Sequence, residues 1–155
     1  TGLMVSPNID FETYVETPDP QEGFRIMGAM ACQSGVGQVS FTNFMGTEDP
    51  GLYWRFEYRD EQGLLWDFDN WLIPFSHPQA GMAARFTERL SQILTEADRL
   101  KILSIKKEAL DAVPPMKPRG IDIYKAVLQA GVSDYAGFMV WQNANPPSAL
   151  ELWMP

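Results

Sequence analysis

Two carboxylates set two apart, Asp67 and Asp69, are the residues in this chain whose spacing points most directly to chemistry. In an extended segment they share one strand face, roughly 6–7 Å apart. With Asn70 beside them they stand close enough to share a hard cation such as Mg²⁺ or Ca²⁺. The competing reading is a solvated strand face, and the alternation in Leu64-Leu65-Trp66-Asp67-Phe68-Asp69 already accounts for it. We therefore expect no metal centre. A second constellation takes Cys32 as nucleophile and His77 as its base, oriented by Asp67, Asp69 or Asn70. Against it, Cys32 closes the apolar run Phe24-Arg25-Ile26-Met27-Gly28-Ala29-Met30-Ala31-Cys32, where a thiol is ordinarily a small buried hydrophobe. His77 sits in the loop Ser76-His77-Pro78, a setting that needs no special role. One histidine and one cysteine cannot make a zinc site of the common kinds.

Linear motifs for other chemistries are missing. Ser34-Gly35-Val36-Gly37-Gln38-Val39-Ser40 lacks the third glycine of a dinucleotide loop and leads into a strand-like segment, so phosphate cradling has no physical basis there. Neither a Gly-Lys-Ser/Thr loop nor a Gly-x-Ser-x-Gly elbow occurs. No catalytic residue and no cofactor is assigned on these grounds. A carboxylate acid/base pair leaves no linear signature, so an enzyme or small-ligand binder remains an alternative. It predicts a pocket between sheet and helices holding His77, Cys32 or the Asp67/Asp69 pair.

The aromatic residues are distinctive in their crowding. Tyr53, Trp54, Phe56, Tyr58, Trp66, Phe68, Trp71 and Phe75 fall within 23 residues. By alternation Trp54, Phe56, Tyr58, Trp66 and Phe68 form the core face of a sheet. The same phase turns Tyr53 outward among acids and leaves Trp71 at the strand end. Exposed aromatics beside charges are common makings of a protein interface. The candidate partner-binding set is accordingly Glu48, Asp49, Asp60, Glu61, Asp67 and Asp69 for charge, with Tyr53 and Trp71 as anchors.

Those residues need elements to hold them. Phe24 to Cys32 reads as a strand buried on both faces, Ser34 to Gly37 as a turn, and Gln38 to Phe44 as a returning antiparallel strand. Leu52 to Arg59 and Leu64 to Asp69, joined by Asp60-Glu61-Gln62-Gly63, predict a β-hairpin with a wet, charged face. Two prolines between Ile73 and Pro78 end the strands. From Gln79 the period becomes helical through Met82, Phe86, Leu90, Ile93 and Leu94. Thr95 caps a second helix to about Ala112, although Leu100 to Ile105 suits a strand as well. Residues 113–120 are a rigid proline-rich connector. A short helix over Ile121 to Leu128 follows, closed by Gly131, and Ser133 caps a last one through Asn143. Leu150 to Met154 suits an edge strand. Strands first and helices afterwards predict an α+β domain over 1–155: an antiparallel sheet from a strand-rich 1–78, with helices from a helix-rich 79–145 packed on one face.

Composition bounds the rest. A chain of 155 residues with nine Phe, five Trp and five Tyr has ample material for a core. A single cysteine rules out an internal disulfide. No apolar run approaches the roughly 20 residues of a bilayer span, and no stretch has the form of a secretory signal, so the expectation is a cytoplasmic protein without a membrane partner. The net charge of −8 is unevenly spread. Residues 1–80 hold twelve acids and three bases (Arg25, Arg55, Arg59), whereas residues 81–155 hold eight acids and nine bases. An acidic half repels phosphate backbones and attracts basic partners, which points away from direct nucleic-acid binding.

Ser6-Pro7-Asn8-Ile9-Asp10, Tyr14, Pro18-Asp19-Pro20, Phe24 and the glycine turn leading to Ser40-Phe41 resemble the opening of small immunity proteins from bacterial polymorphic-toxin systems. The resemblance spans the N-terminal quarter and implies a non-catalytic protein that neutralises a cognate toxin by binding it. Joined to the acidic surface, it makes the leading expectation an immunity-type inhibitor of a basic toxin or effector. A third possibility, also acidic and aromatic-rich, is an assembly or secretion chaperone.

Overall fold

The alternation from Leu52 to Asp69 reflects two antiparallel strands, β3 (Leu52–Arg59) and β4 (Leu65–Pro74), in the computed structural model, which describes residues 1–148 and 153–155. Gly63 takes a φ of 81° in the turn between them, a left-handed conformation that favours glycine. The second strand runs further than its charged part suggests. Pro74 is accepted because it ends the ladder, beyond which Phe75 N–H donates to the Val15 carbonyl at 2.8 Å.

Two more strands complete the sheet. β2 (Val36–Asn43) pairs antiparallel with β3, and β1 (Asn8–Val15) pairs in parallel with β4, giving the order β1-β4-β3-β2. Phe24 to Ala31 of the expected strand is instead helix, part of α1 (Pro20–Ala31), with Cys32 at its C-cap. Its start carries the reasons. Asp19 caps it by accepting from Gln21 N–H at 2.9 Å, Pro20 holds the first position, and Glu22 favours the positive end of the helix dipole. An apolar run can serve either state, and this capped start settles it as helix.

The chain forms two compact units, Ser6–Ala80 and Gly81–Pro155 with Thr1–Val5. In the sheet unit, α1 closes the core by packing against one face of the sheet. Met27 meets Leu52, Trp54 and Phe56 there, with Phe41, Tyr58 and Phe68 around them. Gly23 is required at this contact, since a Cβ there would lie 2.1 Å from the Trp54 ring.

The second unit is helical: α2 (Met82–Ile93), α3 (Glu96–Asp111), α4 (Gly120–Leu128) and α5 (Tyr135–Ala144). Leu100 to Ile105 is helix within α3, whose cap is Thr95 accepting from Asp98 N–H. Asp134, not Ser133, caps α5, because its carboxylate receives Gly137 N–H at 2.8 Å. Leu3, Leu90, Ile102, Ile105, Ile123 and Phe138 form the buried centre. Lys106 Nζ ties the N-terminal segment to this unit, donating to the Leu3 carbonyl at 2.9 Å and the Tyr124 hydroxyl at 3.0 Å. Arg119 holds the buried Asp122 by two bonds of 2.8 Å. Of the expected terminal strand, Leu150 to Leu152 lie outside the described residues, and Trp153 meets Phe86 edge-on at 5.6 Å. The protein is α+β, and among the described residues no helix is long and apolar enough to cross a membrane.

Candidate functional site

The sheet face opposite α1 gathers side chains from the strands at alternate positions. Register places Tyr53 beside Trp71, Arg55 beside Asp69 and Glu57 beside Asp67 across β3 and β4. The parallel partner β1 adds Asn8, Asp10 and Glu12 next to Asp67, Asp69 and Trp71. α1, the helix of the sheet unit, lies on the other face, and Phe44 of the β2–β3 connection reaches this one. Five acids and two arginines, Arg55 and Arg59, therefore share it, and the unit as a whole carries twelve acids against three bases.

Its charges are organised into a network. Asp69 receives the Asn8 amide at 2.8 Å on one oxygen and the Tyr53 hydroxyl on the other. Arg55 donates to Asp67 and, at 3.1 Å, to Glu57. The carboxylates expected on a wet face are thus half-buried and bonded to neighbours, because β1 covers the strand flank that the hairpin alone would leave open. Burial raises the pKa of the Tyr53 hydroxyl above its ordinary 10, and the hydrogen bond to Asp69 raises it further. The aromatic anchors stack beside this network. Trp71 lies 4.9 Å from Tyr53 and 5.3 Å from Phe44, centroid to centroid.

Asp67, Asp69, Tyr53 and Trp71 come together on this face, while the other four candidates sit at its two ends. Glu48 and Asp49 precede β3, and Asp60 and Glu61 follow it, separated by an eight-residue strand of roughly 25 Å. Asp49 accepts from Nε2 of the buried His77 at 2.9 Å. The opposite ring nitrogen, Nδ1, receives Gln79 N–H at 2.9 Å, which puts the His77 proton on Nε2, facing Asp49. Asp60 is the hub of the hairpin tip, accepting from Gln62 N–H, Leu64 N–H and the Trp66 indole. The indole bond foremost, aided by these backbone donors, holds its carboxyl below the ordinary 3.8. Glu48 and Glu61 are exposed.

The catalytic constellation does not assemble. Cys32 is exposed at the C-terminal cap of α1 and not buried in a strand, and the side-chain partner of His77 is Asp49. Among the described residues no group of three or more His, Cys, Asp or Glu is placed to hold a metal ion. A pocket does exist against the sheet, but on the α1 side, and none of Cys32, His77, Asp67 or Asp69 lines it. Sequence reasoning missed Asn8, Asp10 and Glu12 as members of the outer face. The signal was present: Ile9, Phe11, Thr13 and Val15 alternate with Asn8, Asp10, Glu12 and Tyr14. Comparison with family models, curated proteins and solved structures finds no match to this chain.

Proposed function

We propose that the protein is a non-catalytic binding domain that uses the outer face of its sheet to capture a basic protein, and that it acts as an immunity-type inhibitor of a toxin or effector. One observation carries the reading: Tyr53, Phe44 and Trp71 form an aromatic group against a network of carboxylates on the sheet face opposite α1. Aromatic anchors ringed by charge are the usual composition of an energetic centre in an interface. The network also holds its side chains before binding, which reduces the ordering cost on association. An acidic unit speeds encounter with a cationic partner and slows it with nucleic acid. The reading carries a cytoplasmic location with it.

The test is capture at low salt with wild type and two variants, Trp71→Ala and Glu12→Lys. Asp67→Lys is a poorer choice, because it would also strip Arg55 of its partner. A basic protein retained by wild type, released as salt rises and lost from both variants is the expected result. If the captured protein is toxic when expressed alone, co-expression with this chain should restore growth. Retention that ignores salt, or that survives both substitutions, overturns the proposal.

A further inference from the structure

The inner side of the sheet holds a feature that capture on the outer face does not use. α1 packs closest to β2, and toward β1 and β4 it leaves a cavity of about 350 Å³. That lies at the small end of ligand pockets, which run from roughly 300 to 1,000 Å³. Its walls are largely apolar, from Val15, Ile26, Met27, Trp54 and Leu72, with the Asn70 side chain among them.

Two polar groups at this cavity lack partners. The Trp54 indole N–H is buried without an acceptor, a costly condition for a donor. The Asn70 amide is half-buried and makes no hydrogen bond among the described residues. The two residues are directly paired across β3 and β4 and point to the same face, with Cβ atoms about 4.5–5.5 Å apart. The indole is thus an exception among buried donors, and Asn70 is the polar side chain directly across from it. Asp19 and Glu22 also line the cavity, the latter ion-paired to Arg25 at 2.6 Å, and among the described residues no lysine, arginine or histidine lines it to offer an anion a counter-charge.

We propose that this cavity binds a small, uncharged, mainly apolar molecule with a carbonyl oxygen. The oxygen accepts from the Asn70 amide, and a small shift of the Trp54 ring toward the open space brings its indole N–H in as the second donor. The site is on the opposite side of the sheet from the capture face and stands independently of that reading.

Acetophenone, with cumene as its carbonyl-free counterpart and benzoate as its anionic one, tests the proposal by ¹H–¹⁵N NMR of the full chain. Acetophenone should move the Trp54 indole and Asn70 side-chain resonances. Asn70→Leu should weaken acetophenone about 3- to 10-fold, the worth of one net hydrogen bond, and leave cumene unchanged or tighter. Ile26→Trp, which fills the cavity, should abolish binding of both. If Asn70→Leu disturbs the fold, as the dispersion of the same spectra would show, Asn70→Val makes the same comparison with a donor-free residue suited to a strand. Silence at Trp54 and Asn70 up to the solubility of acetophenone overturns the inference. So does equal loss of acetophenone and cumene in the Asn70 variant, unimpaired binding to Ile26→Trp, or benzoate binding as tightly as acetophenone.

Discussion

The two faces of one sheet hold together by different physics, although their residues alternate along the same strands. On the inner face Leu52, Trp54 and Phe56 lie under α1, and Phe56 stacks on Phe68 with centroids 4.6 Å apart. One position away on each strand, Tyr53, Arg55, Asp67 and Asp69 are half-buried by binding one another. The inner face gains from area removed from water and from contact under α1, which carry no charge for salt to screen and no group to titrate. The outer face gains from directional bonds between charged and polar groups, whose worth depends on every partner being present. A change of phase by one residue is enough to separate the two regimes.

Truncation should break the inner face most severely. Trp54→Ala is expected to destabilise the sheet unit by about 3–5 kcal/mol, through lost burial and the void left behind. Gly23→Ala approaches the same contact from the helix, where the new methyl would overlap the Trp54 ring, and should cost about 1–3 kcal/mol. Urea unfolding followed by circular dichroism measures both, and neither penalty should shrink as NaCl is raised, as a screened charge interaction would. A strong salt dependence would mean that the two faces are not separable in this way.

On the outer face the sharpest probe is Asp69→Ala. It leaves the Tyr53 hydroxyl and the Asn8 amide without their acceptor and should cost about 1–3 kcal/mol. The same bond makes a prediction in pH. Because the folded-state pKa of Tyr53 lies above its ordinary 10, its contribution is fully present below pH 10 and is lost as pH rises through the folded value. Tyrosinate absorbance should therefore show one tyrosine ionising late. Asp69→Asn, which removes the negative charge, should bring that step back toward the ordinary range. An unchanged titration in the variant would assign the shift to burial alone.

Much of this architecture was readable in the residues, and the failures have definite causes. The β3–β4 hairpin was legible because Leu52 to Asp69 repeats strictly at two and meets Gly63 where the turn needs a positive φ. The helical half was legible from period and from the Thr95 cap. Phe24 to Cys32 was misread because its apolar residues show no clean period. Its state was decided outside the run, by Asp19 and Pro20. That error also placed Cys32 in a core it does not occupy. The outward positions of Tyr53, Asp67 and Asp69 followed from the alternation, but the share of Asn8, Asp10 and Glu12 in that face and the pairing did not. Asn8 lies 61 positions from Asp69 in the chain, and such a partner follows from β1 joining β4, which local alternation cannot announce. The cavity was hidden for a similar reason, since its walls depend on how α1 leans across the sheet.

The smallest expected effect tests whether the hairpin tip belongs with either face. Asp60 takes its bonds from the turn and from Trp66, an inner-face residue, but its carboxyl is at the surface. Its folded-state pKa is depressed, so its contribution is present above the ordinary 3.8 and is lost as pH falls through the folded value. Asp60→Asn should leave the outer-face network intact and flatten only the acid limb of the stability profile. Melting curves of wild type and variant should then differ at about pH 6 and converge toward about pH 2. A difference that persists at acid pH would show that the side chain acts by its shape and its neutral hydrogen bonds. The tip would then belong with the packed inner face rather than with the charged one.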